Sequence, residues 1–125
     1  MDFSKHIPAA DSWLIKGEAL PKNTSVDSES KDVGEGAQNS AIAVYAEVSG
    51  VTLAEGKKIS ISVKSSKDGT TWRTLHTQDA SGTPEGMLMD YVLPPSFEGI
   101  VKATVSTDDA SAAGTVDVYL GYIPR

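Results

Sequence analysis

Two histidines and a group of carboxylates are the side chains in this sequence that could carry acid–base chemistry. The chain has 125 residues and no cysteine, which excludes disulfides, thiolate metal sites and cysteine nucleophiles. His6 lies close to the N-terminus, and His76 alternates with Trp72 and Thr74 along one expected strand face. We favour a partly exposed strand residue for His76 over a base or metal ligand, because a lone histidine is more often structural than functional.

Four carboxylates lie close together in a polar stretch, at Asp27, Glu29, Asp32 and Glu35. A carboxylate pair can hydrolyse a glycoside, and several together can bind calcium. A catalytic pair needs rigid elements and apolar walls, and the calcium motif D-x-[DN]-x-[DN]-G is absent here. The flanking Ser, Lys and Gly residues favour a solvated loop. Nucleophile-elbow, H-E-x-x-H, phosphate-loop and dinucleotide motifs are missing too, so we predict no catalytic residues, no metal and no cofactor.

The charge balance bears on the kind of partner. Eleven basic against seventeen acidic residues give a net charge of −6. Affinity for nucleic acids rests largely on neutralising phosphates with Lys and Arg, so this balance argues against DNA or RNA. No apolar run approaches the roughly 20 residues that span a bilayer. We therefore expect neither nucleic acid nor membrane as a partner.

Several aromatic residues are candidates for binding by contact. Trp72 follows an Asp-Gly turn, where we favour packing on the core or a sheet edge, with a sugar-stacking platform as the alternative. Trp13, Leu14 and Ile15 form an apolar patch after a polar N-terminal stretch. They are either a first strand that closes the fold or an anchor that docks on another subunit, and the two readings weigh equally. Phe97, after two prolines, admits the same pair of readings.

The elements that must position these residues are strands, because apolar residues recur with a period of two. Residues 58–77 read as a hairpin, in which Ile59, Ile61 and Val63 alternate with polar residues before a Lys-Asp-Gly turn. Similar alternation marks residues 42–48, 87–93, 100–105 and 116–122, and short strands are expected at 12–15 and 24–26.

About eight strands without an amphipathic helix predict an all-β fold, a single-domain antiparallel β-sandwich that is jelly-roll-like. Alternation alone does not separate a jelly roll from an immunoglobulin-like sandwich. We place an N-terminal arm, with a candidate first short strand, over residues 1–23 and the sandwich over residues 24–125. Residues 22–40 read as a long solvated loop or ribbon, and residues 108–114 as a polar loop in which Asp108 and Asp109 serve turn chemistry.

The order of these parts, together with two phrases, resembles a known family. Thr52–Val63 reads T-L-A-x-G-K-x-I-x-I-x-V, and Ser66–Trp72 reads S-x-D-G-T-x-(aromatic). With Phe97–Ala103 and the closing strand Thr115–Tyr122, the chain resembles the small capsid cement, or decoration, proteins of tailed bacteriophages, especially those with a single jelly roll. The likeness covers most of residues 24–123 and leaves out the first 23.

This resemblance implies a protein that sits on the outside of the shell and staples neighbouring coat subunits. It carries over no catalytic or contact residue. We therefore expect a non-enzymatic cement protein on the outer capsid surface of the virion, made in the bacterial cytoplasm, with the major capsid protein and itself (as a dimer or trimer) as partners. The alternative is a carbohydrate- or receptor-binding β-sandwich module of a phage or bacterial surface structure. We also expect deletion of residues 1–16 to leave the domain folded and to weaken attachment.

Overall fold

The computed structural model describes residues 13–32, 40–93 and 99–124. These residues form nine strands: β1 (Trp13–Ala19), β2 (Ser25–Asp27), β3 (Lys31–Asp32), β4 (Ser40–Thr52), β5 (Lys58–Ser66), β6 (Arg73–Ser81), β7 (Gly86–Val92), β8 (Ile100–Thr107) and β9 (Ala113–Pro124). In this part of the chain, no helix has the length and apolar character that crossing a membrane requires.

The strands form two antiparallel sheets. The four-stranded sheet has the order β1-β9-β4-β7, and the five-stranded sheet has the order β2-β8-β5-β6, with β3 also paired to β8. The outermost strands of the first sheet are therefore β1 and β7, and β6 is an edge of the second. The prediction of an all-β antiparallel sandwich is confirmed.

The pairing of the strands shows that the sandwich is a jelly roll. With β3 set aside as a two-residue extension along β8, the eight remaining strands pair from the ends of the chain inward: β1 with β9, β2 with β8, β4 with β7 and β5 with β6. This is one long antiparallel ribbon. The ribbon then rolls up, so that β9 also pairs with β4 and β8 with β5. Two interlocked Greek keys of this kind define the jelly roll.

The core lies between the two sheets and follows the predicted alternation. On β5, Ile59, Ile61 and Val63 are fully buried, while the residues between them stay partly exposed. They pack in one cluster with inward-facing residues of β4, β8 and β9. Burying each such side chain contributes about 1.5–3 kcal/mol, so the alternation itself selects which face of every strand points inward.

A β-bulge in β1 turns two successive residues into the core. Trp13 pairs with Tyr119 and Ile15 with Val118, so two steps along β1 match one step along β9. As a result Leu14 and Ile15 are both buried, at 6% and 4% exposure. Both side chains contact the core of their own chain, which favours the first-strand alternative for Leu14 and Ile15, and their role in docking stays a prediction. The candidate first strand pairs with β9 in the sandwich and supplies Leu14 and Ile15 to the core, so we expect deletion of residues 1–16 to destabilise the domain rather than leave it folded. Residues 1–12 lie outside the described part.

A second bulge changes the expected face of His76. Val63 pairs with His76, whereas the next residue, Lys64, pairs with Thr74. Leu75 is the extra residue, so His76 and Thr74 do not share a face. His76 turns toward the seam between the two sheets and stacks on the ring of Tyr91, with centroids 4.6 Å apart and planes 7° from parallel. The prediction that His76 shares a face with Thr74 is wrong, because alternation cannot anticipate an inserted residue.

The loop after β8 confirms that Asp108 and Asp109 serve turn chemistry. Asp109 accepts hydrogen bonds from the backbone N–H groups of Ala54 and Ser111, at 2.7 and 2.9 Å, and Asp108 accepts one from the Lys58 N–H at 2.8 Å. These bonds tie together loops that are distant in sequence. The N–H of Ala54, followed by that of Ser111, lowers the pKa of Asp109 and keeps the carboxylate ionised.

Candidate functional site

The outward side of the four-stranded sheet carries several large apolar side chains, although it is turned away from the core. Side chains directly opposite each other on neighbouring antiparallel strands share one face of the sheet. By register, the apolar residues of this side are Trp13, Ala43, Tyr45, Met87, Val92 and Tyr119, here called the apolar face, and the carboxylates Glu47, Asp90 and Asp117 lie on the same side.

Three aromatic rings form a row across the apolar face. Trp13 on β1 is opposite Tyr119 on β9, and Tyr119 is opposite Tyr45 on β4. The ring centroids of Trp13 and Tyr119 are 5.1 Å apart, and those of Tyr45 and Tyr119 are 5.4 Å apart. Contacts at this spacing add about 0.5–1.5 kcal/mol per pair beyond the burial itself. Tyr45 and Tyr119 are only 1% and 3% exposed, and Trp13 is half-buried beside them.

Charged groups border this row. The Tyr119 hydroxyl donates to the Glu47 carboxylate at 2.5 Å, across the β9–β4 pair. Burial, followed by the bond to Glu47, raises the pKa of Tyr119, so the phenol stays protonated. The Lys16 ammonium lies 5.4 Å from the centroid of the Trp13 ring. These contacts fix the rings in place, so the row is a rigid part of the sheet.

The apolar face extends to the edge strand β7. Met87 and Val92 are 45% and 47% exposed, and they are the exposed large hydrophobic residues of the described part of the chain. Val92 pairs with Ala43 and Met87 with Glu47, which places both on the outward side. Large exposed apolar side chains beside a buried aromatic row are typical of a contact surface.

A groove meets the other end of the apolar face, between β1 and the segment that contains β2. It has a volume of about 290 Å³ and is lined by Trp13, Leu14, Ile15, Lys16, Glu18, Val26, Asp27, Ser28 and Glu29. Trp13 thus belongs both to the apolar face and to this groove. Two of the four clustered carboxylates, Asp27 and Glu29, line it.

The outward side of the five-stranded sheet is different, because it is covered with hydroxyl and charged groups. This polar face consists of Ser25, Asp27, Ser60, Ser62, Thr77, Asp79, Thr104 and Ser106. Cross-strand hydrogen bonds join several of them: Thr104 to Asp27 at 2.7 Å, Ser60 to Asp79 at 2.6 Å and Ser62 to Thr77 at 3.0 Å. The Thr104 bond is the main cause that lowers the pKa of Asp27.

Trp72 lies at one end of the polar face, on a rigid turn. Gly69 takes a φ of +78°, which a glycine adopts without steric penalty. Asp68 accepts bonds from the N–H groups of Thr70 and Thr71, at 2.8 and 2.9 Å, and from the Ser66 hydroxyl at 3.0 Å. The N–H of Thr71, then that of Thr70 and then the Ser66 hydroxyl lower the pKa of Asp68 to about 2. The turn therefore presents the partly buried Trp72 in a fixed position.

Basic side chains lie close to the Trp72 ring. The Lys102 ammonium lies 4.4 Å from the ring centroid and 3.2 Å from the Asp27 carboxylate. Lys64 is directly opposite Lys102 on the neighbouring strand. Trp72 also lines a depression of about 350 Å³ together with Lys67, Asp68, Thr71 and Arg73. The ring thus sits in a basic environment within an acidic protein.

The structure brings together some of the residues singled out in the sequence and leaves others apart. Trp13 and Trp72 lie on the outward sides of different sheets, so they belong to separate surfaces. Phe97 lies outside the described residues, as does Glu35. In the described part, no group of three or more His, Asp or Glu side chains could hold a metal ion.

Sequence reasoning does not identify most of the apolar face. Tyr45, Tyr119, Met87 and Val92 are predicted from it only as members of alternating strands. A signal was present in β4, where residues 42–46 are apolar on both faces. Such a continuous run indicates a strand that is covered on both sides.

Comparison with known proteins places the chain by fold. No protein-family model and no curated protein matches it. Among solved structures, it is similar to the crystal structure of PirA, with a TM-score of 0.55 and 11% identity over 92% of this chain and 98% of that one. At this identity the likeness shows a shared fold only.

Two further similar structures are more distant. TmCBM61 in complex with β-1,4-galactotriose has a TM-score of 0.44 and 20% identity over 82% of this chain and 67% of that one. A pentameric capsid protein isolated from metagenomic phage sequences has a TM-score of 0.43 and 13% identity over 94% and 73%. The structural neighbours thus include a phage capsid protein and a carbohydrate-binding one.

Proposed function

We propose that the chain is a non-enzymatic bacteriophage cement protein that binds the outer capsid surface and stabilises contacts between major coat subunits. The observation that carries this proposal is the difference between its two outer faces. The apolar face offers exposed Val92 and Met87 beside an aromatic row, whereas the polar face is covered with hydroxyl groups. A decoration protein needs one face for the shell and one for solvent.

The apolar face suits docking for energetic reasons. Removing Val92 and Met87 from water contributes about 1.5–3 kcal/mol for each side chain. The aromatic row beside them is already ordered, so little conformational entropy is lost on binding. When the protein is a dimer or trimer, each oligomer makes several such contacts with the shell at once, so avidity strengthens a modest single contact. The resemblance to cement proteins in strand order and in the Thr52–Val63 phrase supports the same function.

Co-sedimentation with shells of the phage that encodes the chain tests this proposal. Val92→Asp places a charge on the apolar face, and Thr77→Asp places the same charge on the polar face. Because the burial energy of one valine is lost and a charge must be desolvated, we expect Val92→Asp to weaken binding about tenfold or more. Thr77→Asp should bind like the parent protein. Light scattering of the free variants measures their mass and so separates capsid binding from self-association.

Two results would contradict the proposal. If the parent protein does not sediment with shells, the cement function is wrong. If it does, but a Val92→Asp, Met87→Asp double variant decorates shells as tightly as the parent, then another surface makes the contact.

A second candidate function is a carbohydrate-binding module, and one observation favours it. Trp72 is presented on a rigid turn beside a depression on the opposite sheet from the apolar face. An aromatic ring of this kind can stack on the face of a sugar. Trp72→Ala is the variant that tests it, because sugar binding lost in this variant would support a platform at Trp72.

A further inference from the structure

The depression beside Trp72 contains more positive charge than its surroundings balance. Its charged members are Lys67, Arg73 and Asp68. The Asp68 carboxylate is engaged by Ser66, Thr70 and Thr71, which stabilise the turn. The ion pairs of the described residues join Lys58 to Asp79 and Lys102 to Asp27, so neither Lys67 nor Arg73 takes part in one.

Lysines of β8 and β5 add to the positive charge near the indole. The Lys102 ammonium sits 4.4 Å from the ring centroid, and Lys64 lies directly across from Lys102. Like charges directly opposite on neighbouring strands repel each other, and Asp27 offsets only one of the two. A ligand that enters the depression therefore meets Lys67 and Arg73 beside an indole that Lys102 also contacts.

From this arrangement we infer that Trp72 and its depression bind an acidic sugar, a hexuronic or sialic acid residue. The pyranose ring stacks on the indole, and the sugar carboxylate pairs with the Arg73 guanidinium, with Lys67 as a second cation. Arginine binds a carboxylate through two parallel hydrogen bonds, and such charge-assisted bonds are stronger than neutral ones. The inference rests on the second candidate function and names its ligand class.

The chemistry favours a sugar acid over other anions. A nucleic acid would need many phosphate contacts, and the net charge of −6 opposes an extended polyanion. A single carboxylate on a ring needs only one stacking surface and a local pair of cations. The depression provides both in about 350 Å³, which suits one or two sugar units.

Isothermal titration of the full chain with matched sugars tests the inference. The acidic probes are trigalacturonic acid and 3′-sialyllactose, and the neutral probes are β-1,4-galactotriose and lactose. We expect the acidic probes to bind about tenfold or more tightly than the neutral ones, because hydrogen bonds to charged groups are stronger than those between neutral groups. Trp72→Ala should abolish binding, and Arg73→Gln should weaken the acidic probes about tenfold.

Lys57→Gln is the matched control for Arg73→Gln. Each substitution removes one cation and leaves 10 basic against 17 acidic residues, a net charge of −7 instead of −6. Lys57 lies at the opposite end of β5, so Lys57→Gln should bind the acidic probes like the parent chain. Equal weakening by both variants would show that only overall charge matters and would overturn the inference.

The remaining outcomes distinguish failure of the acidic-sugar inference from failure of the carbohydrate-binding function on which it rests. Trp72-dependent binding of neutral and acidic probes with equal affinity would overturn the acid preference and keep the carbohydrate-binding function. If none of the four probes shows Trp72-dependent binding, both the acid preference and the carbohydrate-binding function are wrong. Neither result bears on capsid docking, which the Val92→Asp variant tests on the other sheet.

Discussion

The Tyr119 hydroxyl donates a 2.5 Å hydrogen bond to Glu47, and this bond joins the aromatic row of the apolar face to the charged groups that border it. Tyr119 is nearly fully buried, so its hydroxyl cannot readily turn to water if the partner is removed. The pair therefore holds the central ring of the row between Trp13 and Tyr45.

Removal of this bond should destabilise the sandwich. Tyr119→Phe deletes the donor and leaves Glu47 without it, so we expect the free energy of unfolding to fall by about 1–2 kcal/mol in urea titrations. Glu47→Gln keeps an acceptor oxygen and should lose less. Equal stability of Tyr119→Phe and the parent would show that the bond contributes nothing in solution.

Gly114, on β9, is where two backbone segments approach too closely for a side chain. It has a φ of +115°, and a Cβ there would lie 2.7 Å from the Val51 Cα. Gly114→Ala should lower the free energy of unfolding by more than about 2 kcal/mol, because backbone must move as well as adopt a strained φ. Gly56 has a φ of +80° with open space around it. Gly56→Ala should therefore cost about 1 kcal/mol, and similar losses in both variants would contradict the steric argument.

Two adjacent buried serines should respond oppositely to the same substitution. Ser65 and Ser66 are both fully buried, yet the Ser65 hydroxyl has no hydrogen-bond partner in the described structure. Ser66 Oγ contacts Asp68 and accepts from the Gly69 N–H at 2.9 Å. Ser65→Ala should raise the free energy of unfolding by about 1 kcal/mol, and Ser66→Ala should lower it by about 1–3 kcal/mol. A loss in both variants would refute the assignment for Ser65.

Asp68 should make stability depend on acid pH. Its pKa is lowered from 3.8 to about 2 in the folded state, so protonation favours the unfolded chain. This contribution is complete above about pH 4 and is lost as the pH falls toward 2. In urea titrations at pH 7, 4 and 2.5, the free energy of unfolding should fall less steeply with decreasing pH for Asp68→Asn than for the parent. Glu55→Gln, which removes an exposed carboxylate, should keep the pH dependence of the parent. If Asp68→Asn also keeps it, the Asp68 turn is not the source of that pH dependence.

Two truncations should distinguish the role of the N-terminal residues from that of the first strand. A chain without residues 2–11 keeps β1 whole, and we expect it to unfold at the temperature of the parent. A chain without residues 2–16 loses Leu14 and Ile15, for which substitution by Ala alone costs about 2–5 kcal/mol each, so it should be largely unfolded. Circular dichroism distinguishes the two. If the arm contributes to docking, the shorter deletion will also weaken co-sedimentation with shells, and equal binding would reject that role.

The period-two alternation was sufficient to predict the strands and the sandwich, because burial on one face of a strand is encoded locally. Ile59, Ile61 and Val63 illustrate this. The bulges at Leu14 and Leu75 were out of reach, since an inserted residue is defined only by the partner strand. The order in which the strands pair could not be predicted either, because paired residues such as Trp13 and Tyr119 are separated by almost the whole chain.

The same limit applies to the candidate sites. Trp72 could be singled out by residue type and by its place after a turn. Its contact with Lys102 depends on β8 lying beside β5, which no local pattern reveals. The apolar face depends on four strands in register, and only the run of apolar residues in β4 hinted at it.

The pairing of β1 with β9 also sets the order in which the chain can fold. The Gly17 N–H bonds to Asp117, 100 residues further along. A ribosome adding about 5–20 residues per second needs roughly 5–20 s to make that interval. Throughout it, Leu14 and Ile15 have no β9 to pack against, and β4 lacks β9, one of its two neighbours in the four-stranded sheet. Closure of the roll therefore waits for the synthesis of β9, and until then the nascent chain exposes its first strand to chaperones and to other copies.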